Sequence, residues 1–346
     1  MKAEVARLQP GYRPAFMRPG LVTWKCEPRF FPQDEWPTVF VRAYGASLGT
    51  ARSVAEILDR VPALLPQWGS GSLRVHVFSR DGHKPGEVPH QDADGIAQAE
   101  AIAQQIVAAA SDGLLRAGPA QRAGEWVLDV VLPPVVSAAG VDAAASLSAE
   151  PWLIGVHRHG PAHSPHAGGR PLLSLPSEAP SRAWLKLEEG LAFSGLPVSA
   201  GDVAVEIGSA PGGASWALLS RGLRVIGVDP GSMDARVLAS PRFAFVQTTL
   251  GDLRREQLPS RVDWLLLDVN LAPQVALHQV RRIVSTLRSS LRGALLTLKL
   301  NNWGLAEQVP RFVAQVLAMG FDEVRATQLP SNRQEICVAA QRRNRQ

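Results

Sequence analysis

The sequence predicts an α/β fold: a mostly parallel, helix-covered sheet in the C-terminal half, preceded by an N-terminal half of α+β character. Three observations predict it. From residue 203 onward, short β-branched or Leu-rich runs alternate with helical patterns, which is the rhythm of a parallel sheet covered on both faces. Two further strand-like runs, joined by a short turn, close the chain as an antiparallel hairpin. A stretch between about Val156 and Pro180, dense in Pro, Gly, Ser and His and without periodicity, reads as a linker between the two halves.

Taken in order, Leu73 to Phe78 alternates as a strand, Ile96 to Leu115 is Ala-rich and helical, and Trp126 to Leu132 is a second strand. This pattern suggests two small N-terminal subdomains meeting near residue 65. After the linker come the apolar runs Val203 to Ile207, Val225 to Val228, Phe243 to Gln247, Val262 to Leu267 and Leu295 to Leu300. Helices are expected over Val275 to Leu291 and Ala306 to Met319. The terminal runs are Glu323 to Leu329 and Glu335 to Ala340, with Pro330, Ser331 and Asn332 between them, so the sheet has seven strands.

Bulk composition bounds the function. A chain of 346 residues exceeds what one hydrophobic core usually serves, which favours two or three domains. Hydrophobic residues at 46% and charged residues at 19% exclude a disordered chain. A net charge of +5 permits a polyanionic partner without requiring one. The two cysteines, Cys26 and Cys337, are far apart and outside any CxxC pair, which argues against a disulfide framework or zinc site. The first residues lack a signal-peptide core, and no apolar run reaches the roughly 18 residues of a membrane span. A cytoplasmic protein is expected.

The segment from Val203 to Trp216, VAVEIGSAPGGASW, is a strand, a Gly-rich turn and a helix start. Glycine lets the backbone turn sharply and approach a ligand, and free N–H groups at a helix start can meet a carboxylate. The loop is not GxGxxG, and its proline argues against a pyrophosphate cradle. Any α/β protein uses glycine at such turns, so the loop alone identifies nothing. Asp229, at the end of the next strand, adds an acid placed to accept hydrogen bonds from ribose hydroxyls.

Four charged residues interrupt apolar runs. Asp268 follows WLLL, Lys299 lies in LLTLKL, Glu335 opens EICVAA, and Lys186 sits in the helical stretch AWLKLEEGLAF. Each has a bland explanation: Lys186 can snorkel, Asp268 can cap a loop, and Lys299 can pair with a structural carboxylate. As an ordered set beside a cofactor-type loop they are more specific, because ligand sites of open α/β sheets form at the carboxyl ends of strands.

The set Lys186, Asp268, Lys299 and Glu335, with the EIGSAPGG loop, resembles the FtsJ-type RNA ribose 2′-O-methyltransferases. The segments APSRAWLKLEE, VDPGSM, LTLKL and NRQEICV tighten that likeness to the family of ribosomal RNA large subunit methyltransferase M, from roughly Trp152 to the C-terminus. The resemblance implies a class I (Rossmann-like) methyltransferase domain over residues 171–346, with S-adenosylmethionine as cofactor. It also implies a ferredoxin-like segment over 1–65 and a THUMP-like RNA-binding domain over 66–170, where the likeness is loose, at Leu8 to Tyr12 and Gly71 to Val77. The substrate implied is a cytidine ribose of 23S rRNA. The implied cofactor contacts are Glu206, Gly208, Ser209, Ala210, Pro211, Gly212, Gly213, Trp216, Asp229, Asp252 and Asp268. Glu206 stands where the family usually has Asp, Asp252 is the candidate for adenine, and Asn301, Asn302 and Trp303 replace a more basic stretch.

Methylating a ribose hydroxyl requires a base for a reluctant proton. A free lysine, with a pKa of about 10.4, is mostly protonated at neutral pH. Burial and a second ammonium lower that value, while carboxylates raise it and orient the amine. Lys299 is therefore expected as the general base, positioned by Asp268 and Glu335, with Lys186 lowering its pKa.

His157, His159, His163 and His166 are expected to be solvated or near RNA, with no metal site, since no Cys or carboxylate joins them in sequence. Most of the nine tryptophans are expected in cores, and Arg342, Arg343 and Arg345 form a solvated end. A monomer is expected. The alternatives are a tRNA or other RNA target, a non-catalytic RNA-binding protein that keeps the fold, and a small-molecule O-methyltransferase. The intact tetrad argues against the second, and the large N-terminal half argues against the third.

Overall fold

The computed structural model describes residues 1–36, 38–61, 72–82, 93–110, 113–120, 122–134 and 150–343. The expected subdomain boundary at residue 65, Gly71 and Arg345 fall outside them. The chain forms two compact units, Met1–Pro171 and Leu172–Gln346.

In the first unit, α1 (Lys2–Leu8) precedes a two-stranded hairpin of β1 (Arg13–Arg18) and β2 (Leu21–Lys25). Then come β3 (Ala46–Ala51), α2 (Val54–Leu58), β4 (Leu73–Ser79), α3 (Ala93–Ala109), β5 (Leu115–Ala117), β6 (Trp126–Leu132) and β7 (Trp152–Arg158). They build a five-stranded sheet in the order β3-β7-β6-β4-β5, with β4 parallel to β5 and β6 and the other pairs antiparallel. Its apolar face, including Val75, Leu128, Val130, Ile154 and Val156, packs on Ile102 and Ile106. The sheet takes β3 from before residue 65.

Three expectations change here. The helix expected to reach Leu115 ends at Ala109, and Leu115 opens β5. Gly113, at φ +74°, has a left-handed backbone that no α-helix continues. The expected linker begins too early, because β7 runs to Arg158 and holds His157. The histidines are not solvated as a group: His76, His157 and His163 are buried, and His157 Nδ1 lies 2.6 Å from Asp129 Oδ2. His163 stacks on His157 at 4.4 Å between ring centroids, and meets the tilted ring of Tyr44 at 4.3 Å. Sequence spacing could not bring Asp129 to this cluster; the antiparallel pairing of β6 with β7 does. Among the described residues no group of three or more His, Cys, Asp or Glu is arranged to hold a metal ion.

The second unit runs α4 (Ala183–Ser194), β8 (Val203–Ile207), α5 (Gly213–Ser220), β9 (Arg224–Val228), α6 (Ala235–Leu238), β10 (Phe243–Val246) and β11 (Trp264–Asp268). It continues through α7 (Pro273–Thr286), β12 (Gly293–Lys299), α8 (Trp303–Glu307), α9 (Val309–Leu317), β13 (Glu323–Thr327) and β14 (Glu335–Gln341). The seven strands lie in the order β10-β9-β8-β11-β12-β14-β13. The first five are parallel, and β14 inserts antiparallel between β12 and β13. The helix expected over Ala306 to Met319 is two, because Pro310 lacks the N–H an interior position needs and sits in the first turn of α9.

Alternate strand residues face opposite ways, and both sets are buried. Ala204, Val225, Leu266, Leu295 and Cys337 pack with Leu187 of α4 and Ala217 and Leu218 of α5. Val205, Leu265, Leu296, Leu298 and Val338 form the other face, with α7 packed against β12 and α9 against β13 and β14. Among the described residues no helix is long and apolar enough to cross a membrane.

Candidate active site

Strand direction assembles the charged residues. Asp268 is the last residue of β11 and Lys299 the last of β12. Because β14 runs antiparallel to β12, its first residue, Glu335, is the direct cross-strand partner of Lys299. Lys186 reaches the same point from α4, whose Gly190 lies so close to Leu295 that a Cβ there would fall 2.6 Å from its Cδ2. Helix and sheet thus meet at the carboxyl edge of the parallel strands.

The four side chains form one closed set of ion pairs. Lys186 Nζ donates to Asp268 Oδ2 at 3.0 Å and lies 2.6 Å from Glu335 Oε1. Lys299 Nζ donates to Asp268 Oδ1 at 2.8 Å and to Glu335 Oε2 at 2.5 Å. Burial pulls the Lys299 ammonium toward losing its proton, but the charges of Asp268 and Glu335 outweigh it and hold the pKa above the usual lysine value. Burial likewise pushes Asp268 up, and the two ammonium groups more than reverse that, leaving its carboxyl below the ordinary range. In the resting site Lys299 is therefore an oriented ammonium, and the balance between burial and the two carboxylates falls on the side of the carboxylates.

The Gly-rich loop leaves β8 beside this set. Gly208, at φ +82°, runs so close to β11 that a Cβ would lie 2.1 Å from the carbonyl oxygen of Asp268. Gly212, at φ +115°, turns the chain into α5. Asp229, one residue beyond β9, accepts N–H bonds from Ala210 at 3.1 Å and from Gly231 at 2.7 Å. That fixes its carboxylate against the loop and leaves lone pairs for further donors. Ser209 Oγ is buried with no hydrogen-bond partner among the described residues. Bare backbone, a helix start and a fixed carboxylate fit a nucleoside cofactor that carries its own carboxylate and hydroxyls.

Not every expected contact opens onto that loop. Glu206 is 4% exposed, and its carboxyl accepts the Ser215 hydroxyl, fastening β8 to α5. Burial raises its pKa to about 8. Gly213 starts α5, and half-buried Trp216 packs on the core of that sheet face. Pro211 follows a cis peptide bond. Asp252 is exposed on the segment after β10 and accepts the Thr249 hydroxyl at 2.6 Å.

Three residues escaped the sequence reading. Ser215 pairs with Glu206, Glu189 accepts both the N–H and hydroxyl of Ser331, and Asn332 donates to Glu335. Only Glu189 carried a legible signal: it is an acid one helical turn beyond Lys186.

Comparison with known proteins agrees with this geometry. The FtsJ-like methyltransferase family model matches residues 179–335, which contain all four charged residues. The ribosomal RNA large subunit methyltransferase M of Alkalilimnicola ehrlichii is 32% identical over 330 residues, spanning 90% of this chain and 79% of that protein. Proteins of the same name from Halorhodospira halophila and Methylococcus capsulatus are 36% and 37% identical, over 50% and 43% of this chain and 50% and 42% of their own lengths. The chain belongs to the ribosomal RNA large subunit methyltransferase M family, and its C-terminal unit is a class I methyltransferase domain that uses S-adenosylmethionine.

Proposed function

We propose that this protein transfers a methyl group to a ribose 2′-hydroxyl of RNA, a cytidine of 23S ribosomal RNA, with Lys299 as the general base. The observation that carries the reading is the closed set of two lysines and two carboxylates at the carboxyl edge of the sheet. Residue usage supports it. The chain has 31 arginines and only five lysines, and two of the five stand in this set. A guanidinium does not deprotonate in proteins, so a site that must accept a proton needs the amine.

S-Adenosylmethionine supplies an electrophilic methyl group when bound. Gly208, Ser209, Ala210, Pro211, Gly212 and Gly213 would hold it by their backbone, with Trp216 at the helix that follows. Asp229 would accept its ribose hydroxyls and Asp252 would face its adenine. Glu206 acts through Ser215, by fixing the loop between β8 and α5. Asp268 serves both the loop and the lysines. Lys299 has to shed a proton before it can accept one from the ribose hydroxyl. Lys186 competes for the same two carboxylates, and each ion pair it takes weakens their hold on the Lys299 proton.

The N-terminal half is the RNA-binding half in this reading, ferredoxin-like ahead of β3 and THUMP-like from β3 onward, because the five-stranded sheet takes β3 from before residue 65. The match to the Alkalilimnicola ehrlichii protein, which runs through 90% of the chain, supports that assignment. The protein works in the cytoplasm as a monomer. The test is methyl transfer from labelled S-adenosylmethionine to deproteinised ribosomal RNA, with the label mapped to ribose or base. Wild type should label a large-subunit ribose, and Lys299→Ala should be slower by on the order of a hundredfold or more. Label on tRNA alone, or on a base, would overturn the substrate assignment.

A further inference from the structure

Glu335 makes a contact that the lysine pair does not account for. Asn332, in the turn before β14, is 7% exposed, as is Glu335. Its Nδ2 donates to Glu335 Oε1 at 3.1 Å, the same oxygen that Lys186 reaches. Its own orientation is fixed from the other end, because Oδ1 accepts the Leu329 N–H at 2.9 Å and its backbone N–H donates to the Leu329 carbonyl at 3.0 Å. The neighbouring Ser331 anchors that turn to α4, donating its N–H and hydroxyl to Glu189 at 2.9 and 2.6 Å. Helix α4 also carries Lys186. One turn therefore sets both the helix that brings the first lysine and the carboxylate that receives both.

We propose that Asn332 is a positioning residue for methyl transfer, holding the Glu335 carboxylate so that one oxygen faces Lys186 and the other faces Lys299. The role rests on the reading that the tetrad runs the proton chemistry. A carboxylate rotates readily about its last side-chain bond, and two lysines approaching from different elements do not by themselves fix that rotation. A buried amide N–H does. It also shares the charge of Oε1, so Glu335 grips Lys186 less tightly than an unassisted carboxylate would.

Asn332→Asp isolates this contact. The new side chain keeps an acceptor for the Leu329 N–H, so the turn persists, while the donor to Glu335 becomes an oxygen that repels it. The added negative charge should strengthen the hold on the Lys299 proton by about one pKa unit. The expected result is about a tenfold fall in kcat at pH 7.5, with KM for RNA and cofactor within twofold. In a Glu335→Gln background the same substitution should cost less than half as much, because the part that runs through the orientation of Glu335 is gone and only the through-space effect of the added charge remains. A turn that merely stabilises the fold would cost the same in both backgrounds, and that outcome overturns the proposal. Competitive acetylation at pH 9, read by mass spectrometry on a chain with five lysines, needs no RNA. Lys299 should react about tenfold more slowly in Asn332→Asp, relative to Lys2 and Lys25. Equal labelling overturns the inference. If wild type methylates no RNA while the labelling shift is present, the substrate reading fails and the positioning role stands.

Discussion

Acidification from pH 7.5 to 5 should loosen the N-terminal unit through its stacked imidazoles. Burial holds His76 down to about 4, helped by His157, His159 and Arg74 and opposed by Asp129. Burial, with His157 and His159, holds His163 down to about 3. Both values lie below the ordinary 6.5, so the neutral ring is the folded form and the proton prefers the unfolded chain. Their contribution is complete above about pH 6.5 and is lost as pH falls toward 4 for His76 and 3 for His163. At pH 5 this amounts to about 2 kcal/mol for each ring. The neighbouring carboxylates are Asp129, in contact with His157 and 3.8 Å from His76, and Glu125, which acts on His159, so added positive charge is only partly offset.

Glu206 works in the opposite direction. Its folded value of about 8 lies above the ordinary 4.5, so acidification relieves a buried carboxylate in the C-terminal unit. Whole-chain stability would mix the two signs. The assay is therefore hydrogen exchange by mass spectrometry on peptides covering β6 and β7, at pH 7.5 and 5 after correction for intrinsic rates. Wild type is compared with His163→Phe, which keeps a ring between Tyr44 and His157 but cannot titrate. Wild type should lose about 2 kcal/mol more protection than the variant on acidification. Equal losses would refute the assignment of the acid sensitivity to the stack.

Two further predictions concern the loop. Gly208→Ala places a Cβ 2.1 Å from the Asp268 carbonyl at a left-handed φ, so β8 and β11 must separate. Affinity for S-adenosylhomocysteine, measured by calorimetry, should fall by about a hundredfold; unchanged binding would show that the loop need not lie so close to β11. Glu206→Gln keeps an acceptor for Ser215 and removes the buried charge. Cofactor affinity at pH 7.5 should stay within threefold, and exchange protection of β8 should no longer change between pH 8 and 5. A tenfold loss of affinity would instead mean that Glu206 touches the cofactor directly.

Much of the C-terminal unit was legible because its strands are buried on both faces. Runs such as WLLL and LLTLKL announce themselves, and a lysine or aspartate at their ends stands out against them. The tetrad was readable for the same reason. What periodicity could not show was the partner of each charge. Nothing in local spacing says that Asn332 turns its amide onto Glu335, or that Glu206 is sealed by Ser215, because those contacts depend on register and helix packing. In the N-terminal unit the buried strands β4 and β6 were legible for the same reason, but β1 is exposed and β2 half-exposed, and β7 lay against a Pro- and Gly-rich segment that masked it. The buried histidines were invisible for a related reason. An imidazole has no hydropathy signature of burial, and its carboxylate partner is 28 residues away.

The tetrad also shapes how a polyanion meets this enzyme. Two ammonium groups and two carboxylates within hydrogen-bond distance cancel, so a few ångströms out their field dies faster than that of a single charge. Phosphates are not drawn to the tetrad itself. Capture of the strand falls to other cationic groups, chiefly the arginines, whose pull weakens as salt rises. Grip and reaction are in this way separated: ionic strength should change how often a nucleotide arrives, and leave nearly untouched what the site does with it once it is there.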